Sequence, residues 1–238
     1  MLEYQLPVDV YLCRHDGYVV LMDLARDRYL ALESYDAQQL CGRVRGWDIL
    51  MGSPPAPPVQ SSSDQTLQMM LDVGLLAPSS AAGKSARPIH LCSPTDSMID
   101  EDSDFRPEIR STEVCRFLTA VTSAAMRLKF LSIHHVVHSV QRRRRAQNRS
   151  ATLLDLELAH DLVGVFGRLS PFVFTARDAC LFNSLALLNF LASYGLFPTW
   201  VFGVRTGPFA AHCWLQAEAH VLNDTLENIC GYTPIMAA

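Results

Sequence analysis

The chain has 238 residues, 49% of them hydrophobic and 18% charged, and its formal net charge is −4 at pH 7. That apolar content excludes wholesale disorder, and the small negative charge excludes a protein held to nucleic acid or anionic membrane by its overall field. Seven cysteines with no C-x-x-C pair, an N-terminus without a signal-peptide pattern and no apolar run of about 18 residues together predict a soluble cytoplasmic protein with reduced thiols.

Val8 to Leu12 alternates like a half-buried strand. His15-Asp16-Gly17 follows as a tight turn, since Asp-Gly readily takes positive φ. Tyr18 to Asp23 reads as a second strand, Ala25 to Asp27 as a turn, and Arg28 to Leu32 as a third strand. Ser34 is placed to cap a helix ending near Arg45. The proline-rich stretch Ser53 to Pro58 must be a loop. Ser63 or Asp64 then caps a helix through Leu67, Met70, Leu71 and Leu75, with Gly74 near its end. Residues 1–77 are therefore expected to form a small module of strands followed by helices.

Residues 78–110 are rich in Ser, Pro, Asp and Ala, include the acidic run Asp100 to Asp104, and read as a linker. Residues 111–238 are expected to form a second domain. Val114, Phe117, Leu118, Val121, Ala125, Leu128 and Leu131 recur at steps of three and four, predicting an amphipathic helix. Two more helices are expected from Ile133 to Arg145 and from Leu153 to Leu169. The run Arg142 to Arg145 closes the first of these, where cations suit the helix dipole, and reads as a solvated end or as a contact for an acidic partner.

Asp178 is a natural N-cap for a nearly uncharged, hence buried, helix that ends at Gly195. Cys180 falls in its first turn, where unpaired N–H groups and the positive dipole end favour the thiolate. Thr199 to Arg205 reads as a buried strand, Thr206-Gly207-Pro208 as a turn, and Phe209 to Glu218 as the return strand. On that strand His212, Trp214 and Gln216 share one face and Cys213 lies on the other. A short strand at Val221-Leu222 ends at Asn223-Asp224. Cys180, His212 and Asp224 thus supply a nucleophile, a base and an orienting carboxylate in chain order.

The stretches Cys180-Leu181, Ser184 to Leu187, Gly203-Val204-Arg205, Pro208 to Trp214 and Asn223-Asp224 resemble the lasso-peptide B protein family, leader peptidases of the microcin type related to transglutaminases. The resemblance spans roughly residues 111–238 and implies a papain/transglutaminase-like cysteine peptidase domain with Cys180, His212 and Asp224 as its triad. Residues 1–77 resemble the PqqD-like recognition element of that family, a winged-helix-like module of three strands and three helices. The expected fold class is therefore α+β. The resemblance also implies that a lasso precursor's leader adds a strand beside Arg28, Tyr29, Leu30, Ala31 and Leu32, facing Leu67 and Leu71. The peptidase would free the core α-amine for an asparagine-synthetase-like lasso cyclase. No cofactor and no metal are expected, and neither nucleic acid nor membrane is an expected partner.

Alternatives remain at this point. The same triad serves a transglutaminase-like acyltransferase, and a non-catalytic scaffold could deliver precursor to the cyclase. A zinc site of Cys180, His212, Cys213 and Cys230 lacks the short paired spacing of structural sites. His134 and His138 stand one helical turn apart without the glutamate of H-E-x-x-H, so packed or solvated histidines are the simpler reading.

Overall fold

A computed structural model describes residues 3–52, 60–99, 109–147, 154–173 and 180–238. The chain divides into two compact units, Met1–His90 with Val204–Ala210 and Thr233–Met236, and Leu91–Gly203 with Ala211–Tyr232 and Ala237–Ala238.

In the first unit β1 (Tyr4–Gln5) precedes the antiparallel sheet of β2 (Val10–His15), β3 (Tyr18–Asp23) and β4 (Arg28–Glu33). The second strand starts two residues later than the alternation from Val8 implied, because the Val10 N–H closes a turn onto the Pro7 carbonyl. Asp16 (φ 44°) and Gly17 (φ 81°) form the β2–β3 turn in the left-handed region, as the Asp-Gly pair predicted. Ser34 opens only the short α1 (Ser34–Gln38) rather than a helix to Arg45, since Gly42 and Gly46 turn the chain at positive φ before α2 (Trp47–Met51). At Gly46 a Cβ would come within 2.1 Å of the Ser85 hydroxyl, so the close approach requires glycine.

Next, α3 (Gln60–Asp72) begins at Gln60, which places Ser63 and Asp64 inside its first turns and not at its cap. β5 (Ala77–Pro78) returns to pair with β1. Val10, Leu12, Val19, Leu21 and Leu32 from the sheet and Leu40, Trp47, Leu67 and Met70 from the helices form one core. Fully buried Trp47 donates its indole N–H to the Ala37 carbonyl at 2.7 Å. The Pro-rich loop of residues 53–58 lies outside the described residues.

Within the stretch of residues 78–110, Lys84 exchanges backbone hydrogen bonds with Leu6, and β6 (Asp96–Ser97) pairs in parallel with a later strand. Its acidic run lies outside the described residues.

The second unit opens with α4 (Ser111–Phe130), whose first N–H groups are served by Glu113 accepting from the Arg110 amide at 2.7 Å. Its buried face is Phe117, Ala120, Val121 and Ala124, which is rotated from the expected stripe and leaves Leu118 exposed. The two small alanines admit a close neighbour, and the Phe117 ring stacks edge-on to Phe166 and Phe190.

α5 (Ile133–Gln147) buries Val136, Val137 and Val140. Its arginine run is not simply solvated. Arg144 donates to Thr199 Oγ1 and the Ala238 carbonyl, and Arg143 to Asn189 Oδ1. α6 (Leu156–Leu169) is capped by Asp155, which accepts from the Leu158 N–H. A 3-10 turn, Ser170–Phe172, follows.

The central α7 (Cys180–Ala192) is buried over Ser184 to Leu188, Phe190 and Leu191, and the chain leaves it through Gly195 at φ 83°. The hairpin β7 (Thr199–Thr206) and β8 (Phe209–Ala217), then β9 (His220–Val221), α8 (Leu226–Ile229) and β10 (Thr233–Ala237) follow in the chain. The five strands run in the order β10-β7-β8-β9-β6. The last strand escaped sequence reading, because Thr233-Pro234-Ile235-Met236 has too little alternation to announce it. No helix among the described residues is long and apolar enough to cross a membrane.

Candidate active site

Cys180 is the first described residue of α7, and the first turn of a helix offers N–H groups and the positive dipole end to an anion. The preceding residues 174–179, including Asp178, lie outside the described residues. The thiol is partly exposed, while the helix that carries it is buried immediately beyond. A rigid, packed helix therefore presents one reactive atom at its end.

His212 projects from the middle of β8, with its side chain 21% exposed against 11% for Asp224. Its Nε2 is hydrogen-bonded to Asp224 Oδ2. Trp214 stacks 6.2 Å from the imidazole on the same strand face, and Tyr232 tilts against it at 5.3 Å. Trp214 is itself buried and fits only because residue 203 is glycine, where a Cβ would approach the indole to 2.8 Å.

Asp224 sits just past β9 and is held from below. Its Oδ1 accepts from the Thr225 N–H at 2.8 Å and from Asn228 Nδ2 at 3.0 Å, and its carbonyl accepts from Ser97 Oγ at 2.7 Å. The carboxylate thus has one oxygen anchored on α8 and the other left for the histidine. Burial by itself would raise the Asp224 pKa, but the bonds from His212, Asn228 and Thr225 outweigh it and hold the group below its ordinary value.

The Asp224 bond, followed by the bond to Cys180, pushes the His212 pKa up to about 9. For Cys180 the largest influence is a hydrogen bond from the Cys213 thiol; burial opposes it, and His212 and the Cys213 backbone N–H reinforce it. The net effect lowers Cys180 to about 4. Cys213 moves the opposite way, because the neighbouring thiolate and deep burial keep it protonated. Both shifts favour a thiolate–imidazolium pair at neutral pH. With Nε2 occupied by Asp224, the imidazole has Nδ1 left for the sulfur.

Sequence reading placed Cys213 on the face opposite His212 and gave it no part in the site. The structure nevertheless brings its thiol to Cys180. Behind it Ser184 donates to the Cys213 carbonyl at 3.2 Å, and Asn223 Nδ2 donates to the Ser184 hydroxyl at 2.9 Å. Asn223 Oδ1 also accepts the Leu215 N–H at 2.7 Å, tying the loop before Asp224 to β8. The clamp of Thr225 and Asn228 on Asp224 was missed as well. Its signal was present, since Thr225-Leu226-Glu227-Asn228 is a short N-capped turn.

The residues expected to bind a leader belong to the first unit. Arg28 to Glu33 form β4, the outer strand of the three-stranded sheet, so its far edge meets no strand among the described residues. Arg28 is bonded to buried Asp23, and the Tyr29 ring tilts against Phe209 at 5.4 Å. Leu30 and Leu71 pack against the core from partly buried positions, Ala31 is exposed, and Leu32 and Leu67 belong to the core itself.

Residues 118–237 match the family model of the transglutaminase-like superfamily. No curated protein and no solved structure matches the chain.

Proposed function

Since the chain belongs to the transglutaminase-like superfamily, we propose that it is a cysteine peptidase that cleaves a ribosomal lasso-peptide precursor at its leader–core junction. The observation that carries this reading is the His212–Asp224 pair set against Cys180 at the start of a buried helix. A nucleophile, its base and an orienting carboxylate are what acyl transfer from a peptide requires.

In this mechanism the Cys180 thiolate attacks the scissile carbonyl, and the oxyanion forms beside the backbone N–H at the start of α7. The His212 imidazolium gives its proton to the departing core amine as the C–N bond breaks. The leader is then held as a thioester on Cys180. Neutral His212 next takes a proton from water, whose oxygen attacks the thioester. The thiolate leaves, and the leader departs with a free carboxylate. Asp224 keeps Nε2 of the imidazole engaged through both steps, so Nδ1 alone exchanges protons with the reactants.

The open edge of β4 supports the matching proposal for recognition, in which the first unit is PqqD-like and the leader adds a fourth strand there. Because Leu32 and Leu67 are in the core, the backbone edge and the more exposed side chains of β4 carry that contact. The freed core amine would pass to an asparagine-synthetase-like lasso cyclase.

Incubating precursor with wild type and with Cys180→Ala, followed by mass spectrometry, tests the chemistry. Wild type releases a leader ending in a carboxylate and the alanine protein releases none; equal cleavage by both refutes the mechanism. An amine adduct on the leader would instead identify acyl transfer. For recognition, full-length Cys180→Ala is titrated with leader peptide and with leader N-methylated at alternate amides. Strand addition predicts that methylation in one register abolishes binding, and retention in both registers overturns it.

A further inference from the structure

A cavity of about 320 Å³ in the second unit is lined by α6, by α7 and by the loop before Asp224. Its α7 walls are Asn183 and Leu187. These stand three and seven residues beyond Cys180, on the same stripe of the helix as the nucleophile. Its loop wall is Leu222 and Asn223, immediately before the carboxylate that orients His212. Through Asn183 and Asn223 the lining thus includes residues close in sequence to Cys180 and Asp224.

The remaining walls are Met98 and Ile99 and one face of α6, on which His160, Val163, Gly164, Gly167 and Arg168 recur at helical spacing. Two glycines inside a helix are unfavourable, because they give up backbone order that alanine would keep at no cost in space. At Gly167 nothing lies within 4 Å of where a Cβ would stand. Packing in the free protein thus does not require glycine there. What the missing side chain provides is room in a cavity whose walls combine apolar Val163, Phe166, Leu187 and Leu222 with polar His160, Arg168, Asn183 and Asn223.

We propose that this cavity is the specificity pocket of the site and receives a large apolar side chain flanking the scissile bond. This rests on the peptidase reading and adds the class of residue the substrate must carry. Gly167 sets the size limit. The volume of about 320 Å³ is at the small end of ligand pockets, roughly 300–1,000 Å³, and has room for such a side chain.

The test uses the full chain and N-acetyl amino-acid amides as probes. Binding is read as a rise in melting temperature, and adjacency as slower alkylation of Cys180 by iodoacetamide. Leucyl and phenylalanyl amides are expected to bind about ten- to a hundred-fold more tightly than the glycyl amide, the range set by burying one apolar side chain. They also slow alkylation. Gly167→Leu removes both effects, and Gly167→Ala, which meets no neighbour, weakens the phenylalanyl amide most while preserving the fold. Equal binding of glycyl and leucyl amides, binding indifferent to Gly167→Leu, or binding that leaves alkylation unchanged would each overturn the pocket. Failure to cleave precursor alongside Gly167-dependent binding would remove the peptidase reading and leave the pocket standing.

Discussion

Removing the Cys213 thiol is the sharpest perturbation available, because that group is buried and touches the nucleophile without being one of the three reacting residues. Cys213→Ala deletes the thiol's hydrogen bond to Cys180 but keeps the backbone N–H and the His212 contact, which also stabilise the thiolate. A hydrogen bond to a charged group contributes about 1.5–3 kcal/mol, and a sulfur donor belongs at the low end. At about 1.4 kcal/mol per pKa unit, the loss amounts to roughly one unit. The bond favours the anion, so its removal raises the pKa, and the acid limb of Cys180 reactivity moves from about 4 toward higher pH. The assay is alkylation by iodoacetamide followed by peptide mass spectrometry, which separates Cys180 from the exposed thiols of Cys92, Cys115 and Cys230. Cys213→Ser, which retains a donor, should recover most of the shift and so separates hydrogen bonding from packing. An acid limb at the same pH in wild type and Cys213→Ala would refute the assignment of the thiol as a donor to Cys180.

Asp224→Asn should lower leader release by between about a hundred- and ten-thousand-fold while precursor binding is retained, since the amide presents the wrong partner to the imidazole; undiminished turnover would remove Asp224 from the mechanism. The same pair makes stability depend on pH. His212 has a folded pKa of about 9 against 6.5 for the free group, so its contribution is complete below about 6.5 and is lost as pH rises through about 9. The melting-temperature advantage of wild type over Asp224→Asn should therefore shrink across that window, and a constant difference would contradict the linkage. Gly203→Ala drives a methyl to 2.8 Å from the Trp214 ring and should cost about 1–3 kcal/mol by overpacking, lowering the melting temperature while also loosening the stack on His212. Trp47→Ala should cost about 3–5 kcal/mol, because it empties a fully buried position in the first core and leaves the Ala37 carbonyl without its donor. Denaturant unfolding checks both.

Local chemistry in the sequence determined a good part of this protein. Asp16-Gly17 specified a hairpin because that pair tolerates the two positive φ angles the turn requires. The uncharged run after Cys180 specified a buried helix, and the period-two pattern around His212 specified its strand. That helix, that strand and the short strand before Asn223-Asp224 brought Cys180, His212 and Asp224 into view as a set. The sequence could not say which face of α4 would be buried, since an apolar stripe leaves its rotation free until Ala120 and Ala124 meet a neighbour. It misjudged the arginine run for a related reason: a cation's partner is fixed by what the fold places beside it, here Thr199 and the Ala238 carbonyl. Above all, it read Cys213 as facing away from the site, because strand alternation describes a strand alone and not the residues of α7 that meet Cys213. The nucleophile was therefore legible in one dimension, while the thiol that tunes it, the clamp that holds Asp224 and the cavity exist only where separate segments converge.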